Sequence, residues 1–137
     1  MKKFSQISEE NNGLVVDYIL KHKPQILLLT GEVGAGKTTL IKKLVAKMGA
    51  LTPATSPTYG LLNEYETPNG IIYHSDWYRI QDPEELYDAG IMEYFNLPAM
   101  FIIEWPEIGL AHIPKPYIKL EISHGNGHRD YSFSEIS

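Results

Sequence analysis

An apolar stretch, a glycine-rich turn and an amphipathic segment follow one another near the start of the chain. This order constrains the fold more than any other feature. Gln25-Ile26-Leu27-Leu28-Leu29-Thr30 is short and almost wholly apolar, with Pro24 before it and Gly31 after it. Such a run predicts a strand buried on both faces, as in a parallel sheet. From Thr38 to Met48, the residues Leu40, Ile41, Leu44, Val45 and Met48 recur at helical spacing, and Gly49 stands where a C-terminal cap belongs. Between strand and helix lies Gly31-Glu32-Val33-Gly34-Ala35-Gly36-Lys37-Thr38.

That linker has the chemistry a phosphate chain needs. Glycines leave backbone N–H groups unobstructed, so anionic oxygens can be approached from several directions, and the following helix adds its positive end. Lys37 supplies a mobile cation for β- and γ-phosphates, and the Thr38 hydroxyl supplies a ligand for Mg²⁺. The segment is read as the site of a purine triphosphate, taken as ATP with Mg²⁺. The rival reading, a chance glycine turn, does not explain the strand before it and the helix after it.

Size and charge narrow the setting. With 137 residues the chain is expected to form one domain, 1–137. There is no cysteine, which excludes disulfides, a thiolate zinc site and a cysteine nucleophile. The net charge of −5 argues against broad binding to DNA or other nucleic acid, since phosphate binders usually carry a basic surplus. No apolar run approaches the ~20 residues of a membrane span. The start, Met1-Lys2-Lys3-Phe4-Ser5-Gln6, lacks the apolar stretch of a signal peptide. A cytoplasmic protein without membrane attachment is expected.

The other elements follow from punctuation. Ser8 is read as the cap of a helix reaching about His22, with Leu14, Tyr18 and Ile19 on its inner face and Pro24 as its stop. Residues 52–58 form a loop. Tyr59–Glu66 and Ile71–Ser75 are strands about a Pro68-Asn69-Gly70 turn. Asp82-Pro83-Glu84-Glu85 opens a helix that Gly90 closes, with one more turn over Ile91–Phe95. Residues 99–103 are a second buried strand. Tyr117–Ser123 and Asp130–Ile136 pair as a final hairpin about Gly125-Asn126-Gly127. The predicted fold is α/β: a P-loop NTPase-like, mixed and largely parallel central sheet with flanking helices and a C-terminal β-hairpin.

Hydrolysis requires more than a phosphate cradle. It needs an acid for the metal and a group that orients water, usually at the end of a buried strand beside the loop. Two segments qualify, one ending in Asp76 and one in Glu104. The pattern does not rank them. Thr58, after Ser56-Pro57, is read either as a switch hydroxyl for Mg²⁺ or γ-phosphate or as part of a plain turn. Arg79 is expected to pair with Asp82 or Glu84 rather than to act as an arginine finger. His74 is read as a packed strand residue rather than a base, and His124 and His128 as surface. Trp105 either stacks on a base or partner or belongs to the core. Lys42, Lys43 and Lys47 are expected on a solvated helix face.

Taken together, these motifs resemble one family. Gly31-Glu32-Val33-Gly34-Ala35-Gly36-Lys37-Thr38-Thr39, Ser56-Pro57-Thr58-Tyr59, His74-Ser75-Asp76-Trp77-Tyr78-Arg79 and Ile103-Glu104-Trp105-Pro106-Glu107 occur in the order seen in the TsaE (YjeE) family. Asp82-Pro83-Glu84-Glu85-Leu86 and Gly90-Ile91 fall between them as in that family. The likeness spans nearly the whole chain. Glu32 stands where the family often has Asp, and Trp77 where Leu is common.

The resemblance implies a bacterial P-loop ATPase of tRNA threonylcarbamoyladenosine biosynthesis, weak alone and working with TsaD and TsaB, with tRNA met only through that complex. It implies nucleotide contacts from Glu32 to Thr39, with Lys37 also catalytic. Asp76 and Glu104 would serve the metal and its water, and Thr38 the metal. Thr58 would act in a switch, Trp105 would lie in the Glu104 motif, and Arg129 would lie near the nucleotide. A P-loop kinase for a nucleotide or small molecule is the first alternative, although 137 residues leave little room for a lid and acceptor domain. A GTPase is disfavoured, because no Asn-Lys-x-Asp segment occurs. A nucleotide-dependent interaction module with negligible turnover is the third.

Overall fold

The buried run after Pro24 is the axis of the molecule. In the computed structural model, which describes residues 2–32, 35–50, 61–125 and 127–137, Ile26–Thr30 forms a strand with every residue buried. In chain order the elements are β1 (Lys2–Ile7), α1 (Gly13–His22), β2 (Ile26–Thr30), α2 (Lys37–Lys47), β3 (Leu62–Thr67), β4 (Gly70–Asp76), α3 (Glu84–Asp88), β5 (Met100–Glu104), β6 (Tyr117–His124) and β7 (Arg129–Ile136). Short 3₁₀ turns cover Glu9–Asn11, Ile91–Asn96 and Pro106–His112. The strands make one seven-stranded sheet in the order β1-β7-β6-β2-β5-β4-β3.

The middle of the sheet is parallel and its flanks are antiparallel. β2 runs parallel to β5 and β6, and β4 parallel to β5. The β3–β4 hairpin closes one side, and β6, β7 and β1 extend the other by antiparallel pairing. Side chains alternate between faces along each strand. Leu27 and Leu29 pack under α1 and α2 with Leu40, Ile41, Leu44 and Val45. Ile26 and Leu28 face the opposite cluster, with Trp77, Leu86, Ile91 and Phe101. Both faces of β2 are thus covered, which explains its unbroken apolar sequence.

Several local expectations are corrected. β1 is a strand that the opening residues do not announce. Phe4 reaches the Tyr18 and Phe133 rings, and the ladder to β7 slips between Phe4 and Ile7. Helix α1 starts at Gly13, after a 3₁₀ turn, rather than at Ser8. Its inner face is Val15, Val16 and Ile19, while Leu14 is 55% exposed. Lys42, Lys43 and Lys47 are exposed as expected, and two of them also reach partners. Lys43 donates to the buried Asn12 Oδ1, and Lys47 lies 2.7 Å from Asp17 Oδ1, so both tie α2 to α1. Residues 52–58, Tyr59 and Asn126 lie outside the described residues.

At α3 the punctuation works as chemistry. Asp82 Oδ1 accepts the Glu84 N–H at 2.9 Å, and Glu85 Oε2 accepts the Asp82 N–H at 2.9 Å, the reciprocal capping arrangement. This engages Asp82 locally. Arg79 makes no ion pair with Asp82 or Glu84, so the expected pairing is not formed.

Candidate functional site

Parallel strands end in one direction, and ligands of such sheets bind beyond their carboxyl ends. Here β2, β4 and β5 end together at Thr30, Asp76 and Glu104. The register sets Asp76 beside Glu104 and Leu29 beside Glu104. The two acids left unranked by sequence are therefore neighbours. They stand on the same face of the sheet as α2, because Ile72 and Ile102, at even spacing before them, pack in that cluster.

The glycine loop leaves β2 at this edge. Gly31 has φ +149, and a Cβ there would fall 2.5 Å from the Ile122 carbonyl oxygen of β6, so the backbone passes too close for any side chain. Ala35 is buried, and its N–H donates to the Glu32 carbonyl at 3.0 Å. Gly36 takes φ +98 just before α2. Thr38 and Thr39 are exposed in the first turn of α2. Val33, Gly34 and Thr58 lie outside the described residues.

Lys37 is folded back into this corner. Its residue is 6% exposed, its Nζ donates to the Gly31 carbonyl at 2.5 Å, and the same Nζ sits 3.5 Å from the centre of the Trp105 ring. Burial pushes its pKa below the ordinary lysine value, and the nearby carboxylates of Glu104, Asp76 and Glu107 pull the other way. Trp105 is a non-glycine residue at φ +55, an uncommon conformation that turns the chain sharply after β5. Its N–H donates to the Leu29 carbonyl at 3.3 Å, and Tyr78 packs on its ring at 4.9 Å between centroids. Trp105 is thus neither wholly core nor free. It covers the lysine.

The two acids differ in setting. Asp76 is exposed and accepts the Tyr78 N–H at 2.9 Å. Glu104 is buried, and its Oε2 lies 2.8 Å from His74 Nε2. Sequence reading placed His74 in the core without this partner. One signal was available: His74 and Asp76, two apart on a strand, share a face. Glu107 also lies near the lysine and was not singled out. Tyr65, on β3, has its pKa raised by burial and then by Glu104.

Arg129 arrives from the far side of the sheet. It opens β7, and a Cβ on Gly36 would lie 2.7 Å from its Nε. That Nε is buried and has no hydrogen-bond partner. An unpaired cationic donor against the last glycine of the loop suits an anion. Thr30, Gly31, Glu32, Trp105, Glu107, Lys119 and Glu121 line a cavity of about 320 Å³ beside the loop. A larger cavity of about 890 Å³ lies at the opposite end of the strands, among Pro24, Gly70 and Met100, away from these groups.

This arrangement can be set beside known proteins. The family model described as "Threonylcarbamoyl adenosine biosynthesis protein TsaE" matches residues 6–131. The chain belongs to the TsaE family. Proteins named "tRNA threonylcarbamoyladenosine biosynthesis protein TsaE" align with it. The one from Haemophilus influenzae is 41% identical over 74% of this chain and 65% of its own length, slightly under two thirds. The one from Rickettsia bellii is 36% identical over 83% of this chain and 80% of its own. The one from Bacillus subtilis is 31% identical over 81% and 70%. The crystal structure of Bacillus subtilis YdiB superposes with a TM-score of 0.78, covering 99% of this chain and 86% of that one at 24% identity. That likeness confirms the mixed α/β fold.

No helix among the described residues is long and apolar enough to cross a membrane. Nor do three or more His, Asp or Glu side chains among them form a metal cage. A nucleotide-borne Mg²⁺ does not need such a cage. It is held through one or two carboxylates with phosphates and waters, and the carboxylates at this edge are Asp76 and Glu104, with the Thr38 hydroxyl in the first turn of α2.

Proposed function

We propose that this chain binds ATP with Mg²⁺ and hydrolyses it, and that turnover supports threonylcarbamoyl modification of tRNA adenosine 37 by TsaD- and TsaB-type partners. One observation carries the ATPase reading: Lys37, Asp76 and Glu104 converge where the glycine loop leaves the sheet, with Lys37 held between the Gly31 carbonyl and Trp105. The names of the relatives carry the pathway.

Each residue has a task in this reading. Backbone N–H groups from Glu32 to Thr39 receive the phosphates. Lys37 leaves Gly31 and Trp105 and moves onto the β- and γ-phosphate oxygens. Arg129 donates its unpartnered Nε–H to the nucleotide. Thr38 and Asp76 hold the Mg²⁺, with Glu104 directly or through water. The metal, when bound, supplies charge neutralisation across the phosphates. Glu104, buried at the strand end, orients the attacking water and accepts its proton. Thr58 contributes a switch hydroxyl from the Ser56-Pro57-Thr58 segment. The chain does not itself attach the threonylcarbamoyl group. It acts in the cytoplasm and meets tRNA through its partners.

Phosphate release is the test. The chain alone should turn ATP over slowly, and purified TsaD and TsaB together should raise the rate. No stimulation by the pair would remove the partner half of the proposal. No ATP binding or hydrolysis under any condition would remove the ATPase half.

A further inference from the structure

Glu104 and His74 form a buried polar pair, with Asn63 of β3 beside His74 in register and aliphatic neighbours on β4 and β5. Glu104 Oε2 and His74 Nε2 are 2.8 Å apart, with side-chain exposures of 6% for the acid and 11% for the imidazole. Directly across from His74 on β5 is Ile102, and two residues before it on β4 is Ile72. Both are buried in the α2-side cluster. A third aliphatic residue at position 74 would continue this row but would leave the buried Glu104 Oε2 without its partner.

The pairing also selects a tautomer. An ionised carboxylate only accepts hydrogen bonds, so Nε2 must carry the proton and donate. His74 Nδ1 is buried with no partner. In the neutral Nε2–H form that atom presents a lone pair rather than an orphaned N–H, the less costly arrangement, since bare acceptors are left unpaired in proteins more often than bare donors. One of the two ring nitrogens is therefore committed to Glu104, and the other contributes nothing. A residue placed for stability would be better satisfied.

We propose that His74 is a positioning residue. Its Nε2–H fixes one oxygen of Glu104 and thereby leaves Oε1 in a single orientation for the attacking water. The inference rests on the ATPase reading above. It adds that the His74-x-Asp76 spacing works as a unit. Asp76 occupies the strand end beside Glu104, and His74, one pleat behind on the same face, holds Glu104 from within.

Two variants of similar volume separate positioning from packing. In His74→Gln the amide N–H reaches about where Nε2 sits, while His74→Met fills the space and donates nothing. ATP affinity, phosphate-release kcat and melting temperature are measured on the full chain, with TsaD and TsaB for the rate. His74→Met should lower kcat by about tenfold or more, with the nucleotide Kd within about threefold. His74→Gln should recover most of the lost rate. On the unmutated chain, ¹⁵N NMR of the imidazole should report Nε2–H with bare Nδ1, and Glu104→Gln should shift the Nε2 signal. An Nδ1–H tautomer, equal rates in both variants, or equal losses of rate and affinity in both would overturn the inference. If Glu104→Gln stops hydrolysis and His74→Met leaves it unchanged, this inference falls alone. If the unmutated chain with its partners does not hydrolyse ATP, the ATPase reading falls and takes this one with it.

Discussion

Arg129 occupies the space that any side chain at Gly36 would need: a Cβ there would stand 2.7 Å from its Nε and 3.0 Å from its Cζ. The first residue of the last strand thus lies against the last glycine of the glycine loop, although 93 positions separate them in sequence (129 − 36). Gly36→Ala is strained by φ +98 and must push the Arg129 guanidinium out of its place. It should weaken ATP binding by at least about tenfold, with a loss of roughly 1–3 kcal/mol in stability. Arg129→Gln keeps the loop and removes the cation. It should weaken ATP by several-fold and leave the melting temperature within a few degrees. Titration with labelled nucleotide and thermal melts measure both. Unchanged affinity in Arg129→Gln would place the guanidinium outside the site.

Trp105 offers an optical report of loop occupancy. The chain has two tryptophans. Trp77 is 1% exposed, with its indole N–H bonded to Ser75 Oγ at 2.8 Å, so its surroundings are fixed. Trp105 carries the Lys37 ammonium over its ring. Drawing the lysine onto phosphates removes that cation. ATP–Mg²⁺ should therefore change tryptophan emission in the unmutated chain and in Trp77→Phe, and should have no such effect in Trp105→Phe. A response that survives Trp105→Phe would show that the lysine does not leave the ring.

The parallel middle of the sheet is legible in the sequence because burial on both faces forces continuous apolar runs at β2 and β5. The glycine loop is legible because its chemistry needs particular residue types. What is hidden depends on the third dimension. β1 is an edge strand whose register slips before Ile7 and whose Gln6 takes φ +54, so its alternation is broken. The inner face of α1 is ambiguous because Leu14, Val15, Val16, Tyr18 and Ile19 form two overlapping stripes, and only the position of α2 and β7 decides between them. His74 reads as a core residue, since nothing in a single strand tells which polar group lies on the next. Asp76 and Glu104 cannot be ranked one at a time because they stand side by side at adjacent strand ends.

Lys37 gives a stability prediction with a definite sign. Its pKa in the fold is lowered, chiefly by burial, with the carboxylates opposing. Between this lowered value and the ordinary one, the unfolded chain holds more protons than the folded chain. Stability therefore rises with pH across that alkaline window, as far as this group decides it. Below the window the charged lysine is a standing cost to the nucleotide-free fold. Lys37→Met should then abolish ATP binding and raise the melting temperature of the free protein. It should also flatten the alkaline rise. Denaturant melts between neutral and alkaline pH check this. A destabilised Lys37→Met would mean that the carboxylates outweigh the burial.

On the other face of the sheet, Gly109 is a packing constraint unconnected with nucleotide. A Cβ there would lie 2.7 Å from Trp77 Cζ3 and 2.8 Å from Leu86 Cδ1, and both side chains are fully buried. Neither can withdraw without disturbing α3 or the Trp77–Ser75 bond. Gly109→Ala should cost about 1–3 kcal/mol by overpacking, read as a lower denaturant midpoint. ATP affinity measured well below the melt should stay within twofold or so, because the phosphate loop lies on the opposite face.

Asp76 and Glu104 are neighbours in register yet differ in exposure, and that difference predicts separable defects. Asp76 is open to solvent, where it can reach a hydrated metal carried in by the nucleotide. Asp76→Asn should weaken ATP in the presence of Mg²⁺ while leaving metal-free nucleotide binding nearly unchanged. Glu104 is buried, and its Oε2 lies 2.8 Å from His74 Nε2. Glu104→Gln preserves the size of the side chain and removes the base. It should lower kcat by on the order of 10²-fold or more while changing Kd little, since proton acceptance matters in the transition state rather than in binding. Binding and single-turnover rates measured on the same preparations distinguish the two. If instead Glu104→Gln weakens Mg²⁺-dependent binding and Asp76→Asn slows only turnover, the two acids exchange roles. If both variants match the unmutated chain in rate and affinity, neither acid belongs to the site.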